Sequence, residues 1–391
     1  MDFSHYLNFD FSLPFWIISG AVSLFFIVQL IYYLWIYRKP YAYELKRDKS
    51  QLSADNLPSV SVIIASKNES ENLQKYLPSI LEQDYPHFEV VVVNMGSTDE
   101  TDMLLKGLSQ KYTNLYHTYV PAEAEDLNDK KLALTLGIKA AKNDVLLFTE
   151  AYCVPVSNKW IQEFANEFSN GKDIVLGFCR LEIEKKVAMR KFILYDNLVH
   201  GLKYLSLAII GKPFMGIGRN MAYKKEIFFE RKGFSPILNI EAGEDDLYIN
   251  KIVKRKNVGV VVSPESMTKS DVVNNFFTWR ALKSKYLYTK QFYRGISSFV
   301  FGFETLSKYL FYLSVVAGIA YGVFHENYPI IAFSVILLIA RFIVQLNIIG
   351  KNSRLFGAGK FHINLLFFDI FQPFNNFRFR KYANRKKQFK R

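Results

Sequence analysis

The chain has 391 residues, half of them hydrophobic and 16% aromatic, and a formal net charge of +14 at neutral pH. That length allows two or three ordinary domains, and the apolar fraction excludes a disordered tail protein. Cys153 and Cys179 are the only cysteines, which excludes a disulfide-stapled miniprotein.

Residues 1–12 carry Asp2 and Asp10 but no Lys or Arg, and read as an extracytoplasmic N-terminus. Leu13 to Tyr37 come next with 25 residues free of charge, about 37 Å of helix, enough to cross a hydrocarbon core of roughly 30 Å. The run is too long for the apolar core of a signal peptide, so 13–37 reads as an uncleaved transmembrane anchor. Arg38, Lys39, Lys46 and Arg47 flank it on the C-terminal side and, by the positive-inside rule, place the downstream chain in the cytoplasm.

Residues 58–295 have mixed polarity and the size of one soluble domain. Short β-branched runs at Val60–Ala65, Glu89–Asn94, Leu115–Val120, Asp144–Thr149, Asp173–Phe178 and Val258–Ser263 read as strands buried on both faces. Helical patterns fall between them at Glu69–Glu82, Asp99–Lys111, Lys130–Ala141 and Ser157–Phe168, and Ser97 with Glu100 forms a capping-box pattern. This alternation implies an α/β, doubly wound, largely parallel sheet, whose ligand site lies beyond the carboxyl ends of its strands. Those ends carry Ser66, Lys67, Asn68 and Glu69; then Asn94, Met95, Gly96 and Ser97; then Glu150, Ala151 and Tyr152. Further on come Gly216-Ile217-Gly218-Arg219-Asn220, the acids Glu244, Asp245 and Asp246, and Trp279 with Lys283 and Lys285. Walker, zinc-ligand and nucleophile-elbow patterns are absent. The stretch from Val187 to Ile210 either lies along a bilayer or packs under the sheet.

Two more apolar runs, Tyr309–Phe324 and Tyr328–Ile349, read as a transmembrane hairpin (309–349), with Lys308 before it and Lys351 and Arg354 after it as cytoplasmic flanks. Arg341 inside the second run either serves function, facing a lipid phosphate, or snorkels to the interface. Residues 361–377 are aromatic but interrupted by Asp369, Gln372, Pro373, Asn375 and Asn376, which suits an interfacial or re-entrant helix. The tail 378–391 holds eight Lys and Arg and no acid, so eight of the fourteen net charges lie there, suited to anionic lipid rather than nucleic acid.

The segment PSVSVIIASKNESENLQKYLPSILEQDYPHFEVVVVNMGSTDET, together with KKLALTLGIKAAKNDVLLFTEAYC, GIGRNMAY and GEDDLYIN, resembles the membrane-bound family 2 glycosyltransferases, which have the GT-A fold and include cellulose and hyaluronan synthases. The resemblance implies an inverting, non-processive hexosyl transfer from a nucleotide sugar, UDP-linked by analogy, to a lipid-linked or surface-glycan acceptor at the cytoplasmic face of the inner membrane. It assigns the donor base to Ser66, Asn68 and Glu69, the uridine to Asn94, and the second strand's loop to Ser97. Glu150 stands where the family has the first acid of Asp-x-Asp, which meets the ribose and a divalent ion. With the second acid replaced by Tyr152, Mg²⁺ or Mn²⁺ would be held weakly. Asp245, flanked by Glu244 and Asp246, matches the family's general base, although acids in a row also suit a helix start. Arg219, Asn220, Trp279, Lys285 and Tyr286 fall on acceptor or diphosphate positions, with Leu282 in place of the family's Gln. Lys130 and Lys131 are further cations for the leaving group. The alternative implied by the altered motifs is a catalytically impaired relative acting as a membrane scaffold or regulatory subunit.

Overall fold

The computed structural model describes residues 12–47, 57–121, 129–254 and 257–388. The expected N-terminal segment, apart from Ser12, and residues 389–391 of the basic tail lie outside the described residues. The chain opens with α1 (Leu13–Ile31), a π-helical stretch Tyr32–Tyr37 and α2 (Lys39–Lys46). The globular part then runs β1 (Val60–Ser66), α3 (Ser70–Leu81), β2 (Phe88–Asn94), α4 (Thr101–Lys111), β3 (Leu115–Tyr119), α5 (Asp129–Ala140), β4 (Val145–Phe148), β5 (Cys153–Pro155) and α6 (Trp160–Ser169). It continues through β6 (Ile174–Leu176), β7 (Cys179–Leu181), α7 (Arg190–Ile209), β8 (Met221–Lys224), α8 (Lys225–Glu230), α9 (Asp246–Ile252), β9 (Val258–Val260), β10 (Thr268–Ser270) and α10 (Phe276–Thr289). Three long helices close it: α11 (Ser297–Phe324), α12 (Tyr328–Leu355) and α13 (Asn364–Gln388).

Seven strands form one sheet in the order β3-β2-β1-β4-β8-β6-β9. All neighbours are parallel except β8, which is antiparallel to both β4 and β6. Successive residues of a strand point to opposite faces, so Val60, Val62 and Ile64 with Val90 and Val92 meet α3, α4 and α6, while Ile63, Ala65, Val91 and Val93 meet α5 and α7. Both faces are therefore covered, which is why these strands read as unbroken apolar runs. A second, three-stranded sheet, β5-β10-β7, sits beyond the ends of β4 and β6. α7 is buried along most of its length, so the stretch around Val187–Ile210 packs under the sheet rather than on a bilayer.

Among the described residues, three helices are long and apolar enough to cross a membrane: Leu13–Lys46, Ser297–Phe324 and Tyr328–Leu355. The last two cross closely, because a Cβ on Gly318 would strike the Ser334 side chain; small residues let transmembrane backbones approach in this way. Two expected flanking and snorkelling charges have other roles. Lys308 lies inside α11, buried, with Nζ 2.9 Å from Glu304 and 2.8 Å from Asp369. Arg341 is fully buried and neither snorkels nor faces lipid; Nη2 sits 2.7 Å from Asp369 Oδ2 and 2.9 Å from Gln29 Oε1. α13 runs unbroken through Pro373 into the basic segment. Its polar residues Asp369 and Gln372 turn inward while Phe367, Phe371, Phe374 and Phe377 are exposed.

Candidate active site

β1 and β2 end together, with Ser66 paired to Asn94 in the parallel ladder. The loops beyond them are cross-tied. Asn94 Oδ1 accepts the Ser97 N–H at 2.9 Å, Ser97 Oγ accepts the Asn68 N–H at 2.9 Å, and Asn68 Oδ1 accepts the Thr98 N–H at 2.8 Å. Asn68 and Gly96 adopt left-handed φ of 55° and 68°, which lets the two turns face each other. Glu69 takes a 2.5 Å hydrogen bond from Asn72. Burial raises its carboxyl above the ordinary value; the Asn72 bond offsets part of that, and the charges of Glu150 and Asp99 add to it. Five of the seven expected donor residues, Ser66, Asn68, Glu69, Asn94 and Ser97, thus lie together at the ends of β1 and β2, while Lys130 and Glu150 pair with each other. The Ser66 hydroxyl there is buried without a protein partner. Ser97 does not cap α4, which starts at Thr101. Asp99 does that work, accepting the N–H groups of Thr101 at 3.1 Å and Ser70 at 3.0 Å. Against a desolvation that would raise it, these bonds hold Asp99 well below its usual carboxylate range.

Across the sheet, Glu150 lies just past β4 and meets Lys130 from the first turn of α5 at 2.5 Å. The same ammonium is 3.2 Å from Glu244, so one lysine bridges two carboxylates from distant parts of the chain. Burial opposes the charge on Lys130, but Glu150 and Glu244 outweigh it and keep the ammonium well above its ordinary pKa. For Glu244, burial is likewise overcome by Lys130, and its carboxyl is held low. Lys131, by contrast, is buried and donates to the carbonyls of Ile237, at 2.8 Å, and Ile240, so its role is to hold that loop.

Asp245 caps α9 and faces the site at once. Oδ1 accepts the Asp246 N–H at 2.7 Å, while Oδ2 accepts the Gly218 N–H at 2.8 Å and the Tyr286 hydroxyl at 3.0 Å. A Cβ on Gly218 would stand 3.2 Å from Asp245 Cβ, 3.4 Å from Asp245 Oδ2 and 3.5 Å from Glu150 Oε1, so the turn between the two acids has room for glycine alone without displacement. Asp246 departs from its expected place: its carboxylate is buried and accepts from Thr289, from Tyr293 at 2.5 Å and from the Leu247 N–H at 2.7 Å. Burial first, then the Asp245 charge, raises it well above the normal range. It fastens α9 to the end of α10 and does not share the Glu244–Lys130–Glu150 group.

Asn220 also differs from expectation. Its Nδ2 donates to Phe178 and Ser266 carbonyls at 2.8 and 2.9 Å and its Oδ1 accepts from Trp160 at 2.9 Å, so it is spent inside the core. Arg219 is held through its carbonyl, which accepts from Thr149 and Thr268, and its side chain lines a cavity of about 150 Å³ together with Trp279 and Tyr286. Trp279 is clamped among Phe192, Phe276 and Phe379. Lys285 is exposed and contributes to holding Glu244 charged. The cavity also takes Asp196, His200 and Lys203, spaced four and three apart along α7. That helical period was their only signal in an otherwise apolar stretch.

A divalent ion of the kind held by two aspartates does not fit these residues. Glu150 is the one carboxylate at the end of β4, Tyr152 replaces its partner, and the position beside Glu150 and Glu244 is taken by the Lys130 ammonium. No group of three or more His, Cys, Asp or Glu that could hold a metal ion occurs among the described residues.

Residues 61–231 match the family described as Glycosyl transferase family 2. A poly-beta-1,6-N-acetyl-D-glucosamine synthase of Staphylococcus epidermidis is 30% identical over 132 residues, 33% of this chain and 30% of that protein. Glycosyltransferase AglE of Haloferax volcanii is 36% identical over 124 residues, 31% of this chain and 39% of that protein. The matched region therefore spans well under half the length of these relatives. In fold, the chain is similar to the mannosyltransferase PcManGT from Pyrobaculum calidifontis, solved in complex with GDP-Man and Mn²⁺, with a TM-score of 0.52 at 17% identity, covering 86% of this chain and 98% of that one. Residues 61–231 are thus a glycosyl transferase family 2 domain, in a chain of GT-A-like fold with long apolar helices joined to it.

Proposed function

We propose that the chain transfers a sugar from a nucleotide-sugar donor, UDP-linked, to a lipid-linked or surface-glycan acceptor at the cytoplasmic face of a membrane, with inversion and one sugar per encounter. The observation that carries this reading is Asp245, fixed by Gly218 and Tyr286 at a turn that also touches Glu150. In the reaction, Asp245 takes the proton of the acceptor hydroxyl as that oxygen bonds the anomeric carbon. The bond from the anomeric carbon to the diphosphate oxygen breaks, and the nucleoside diphosphate leaves with the electron pair. Charge developing on the leaving group must be met by fixed cations. Lys285 remains for this, Lys131 being committed to backbone carbonyls and Lys130 to Glu150 and Glu244. Arg38, Lys39, Lys46 and Arg47 after the first span, and Lys351 and Arg354 at the end of α12, support the cytoplasmic orientation.

Titration calorimetry with uridine diphosphate, with and without Mn²⁺, tests the donor site. Binding of similar strength in both conditions is expected; no binding in either would remove the transferase reading. Lys130 seated between Glu150 and Glu244 also suits the second reading, a relative whose donor site is filled by its own side chain and which serves as a scaffold. Absent nucleotide binding with an intact fold would select it.

Gly218→Ala isolates the positioning of Asp245. The added methyl stands 3.2 Å from Asp245 Cβ, so Asp245 must give by a few tenths of an ångström, well short of the roughly 1 Å misplacement that costs on the order of 100-fold. A fall of about 3- to 10-fold in kcat with little change in nucleotide affinity is expected in steady-state assays. Unchanged kcat would show that the turn does not set the base.

A further inference from the structure

The cavity beside Tyr286 is walled by α7, α10, the first turns of α11 and the inner face of α13. Its lining includes four cations, Lys203, Arg219, Lys283 and Lys290, against one acid, Asp196. Lys283 is paired with Asp196, and Lys203 lies 3.3 Å from Glu304. Arg219 is different: only 3% exposed, it leaves Nε and Nη1 without any partner. A buried guanidinium with unpartnered N–H groups is costly, so an anion that enters the cavity gains a charge-assisted partner there. His200 Nε2 is also buried and unpartnered, on a ring 5.5 Å from that of Tyr286. Burial first, and then Lys283, pulls the imidazole down to about 3, so it is neutral at physiological pH and free to hydrogen-bond. The remaining lining mixes apolar side chains, Phe214, Leu282, Leu287 and Phe301, with polar ones such as Asn197 and Gln372. α13 separates this cavity from an outer groove of about 870 Å³, lined by Phe367, Phe371 and Phe374 with Arg190, Lys191 and Arg378.

We propose that this cavity binds the phosphate headgroup of an amphiphilic acceptor, with Arg219 as its principal partner and Lys283, Lys290 and Lys203 supplying the field. Nε and Nη1, on different edges of the guanidinium, are left open, and each can donate a charge-assisted N–H bond to a phosphate oxygen. The apolar walls accept the first carbons of the chain, and the exposed phenylalanines of α13 mark the side from which a lipid comes. Tyr286 lines the cavity and donates to Asp245, so a ligand held here reaches the base through a single side chain. Naming the ligand an acceptor rests on the transferase reading; the presence of an anion site does not.

The test is calorimetry of the full chain in phosphatidylcholine nanodiscs, titrated with farnesyl phosphate, farnesol, inorganic phosphate and, separately, uridine diphosphate. Farnesyl phosphate is expected to bind at one site, more tightly than farnesol or inorganic phosphate. Arg219→Gln is expected to weaken it at least tenfold and Arg219→Lys less, with uridine diphosphate affinity unchanged. Lys290→Gln, at an exposed residue of the lining, is expected to weaken it about threefold and decides the matter if the Arg219 variants do not fold. Farnesol binding equally well, or full affinity in Arg219→Gln and Lys290→Gln, would overturn the proposal. Inorganic phosphate matching farnesyl phosphate would overturn the lipid source. Loss of uridine diphosphate binding in Arg219→Gln, with mutual displacement of the two ligands, would assign the arginine to the donor instead. Absence of uridine diphosphate binding in the unaltered chain, with farnesyl phosphate still bound, would count against the transferase reading alone.

Discussion

Asp245→Asn is expected to reduce sugar transfer by about 10²- to 10⁴-fold, the range spanned by removal of a positioned general base. The amide keeps one of the two backbone hydrogen bonds that define the position and turns its NH2 toward the other N–H donor. One side-chain oxygen can still accept from Gly218 or Asp246, and α9 keeps an Asn cap, a residue type that serves as well as Asp. Folding and nucleotide affinity should therefore stay near those of the unaltered chain, and the loss should appear in kcat. Tyr286→Phe gives a smaller companion effect: it removes the 3.0 Å hydroxyl contact and leaves the carboxylate able to swing. Transfer by Asp245→Asn at the original rate would show that another group takes the proton. Equal losses in kcat and in uridine diphosphate affinity would place Asp245 in the donor site.

Lys130→Met is expected to damage stability and donor binding together. The methionine is of similar length, so the change removes mainly charge from between Glu150 and Glu244. Breaking a fully buried pair by removing one partner typically costs about 3–5 kcal/mol, and with Lys130 31% exposed and its partners 12% exposed solvent screening reduces this to about 1–2 kcal/mol. Here two carboxylates share one cation, and repulsion between them is added to that cost. A clear drop in melting temperature is expected, partly recovered in Lys130→Met with Glu150→Gln, where one of the acids is neutralised. A Lys130→Met protein as stable as the original would show that solvent already screens the trio. The same variant tests the poor fit of a divalent ion: with the ammonium gone, calorimetry should detect Mn²⁺ binding that the unaltered chain lacks.

The strands that line both helical layers were legible because continuous apolar runs are what doubly covered parallel strands require. β8 was not, since Met221–Lys224 is four residues long, comes directly after the Gly218 turn, and owes its antiparallel place to β4 and β6 on either side. At the site, local residues at strand ends were placed correctly in space, yet their individual tasks were not. Ser97 with Glu100 has the spacing of a cap, but the Asn68 amide claims the Ser97 hydroxyl and Asp99 takes over the helix start. Asn220 sits next to Arg219 in sequence, and backbone alternation sends the two side chains in different directions, one to the core and one to the cavity. The bridge from Lys130 to Glu150 and Glu244 joins residues 20 and 114 positions apart, beyond any local pattern. Arg341 was visible as an anomaly in an apolar run, but its partner Asp369 lies outside the membrane-like spans, on a helix whose polar face turns inward.

That partnership has a consequence for how the chain is made. Arg341 emerges from the ribosome before Asp369 exists, so it enters its apolar helix without the acid that will hold it, whereas Lys308 already has Glu304 one turn earlier on its own helix. A central Arg or Lys adds about 2.5–3.5 kcal/mol to insertion of a helix, and Leu-, Ile- and Val-rich neighbours in α12 must carry that load alone at first. Only when α13 is complete can Asp369 reach 2.8 Å from Lys308 and 2.7 Å from Arg341, with Glu304 and Lys203 extending the chain of charges toward α7. α13, synthesised after α11 and α12, therefore acts as their closing bolt. A product that stops after Leu355 would leave Arg341 without an acid inside its apolar helix, Lys308 with Glu304 alone, and a globular domain missing one wall of its cavity, and cellular quality control has a ready signal for removing it.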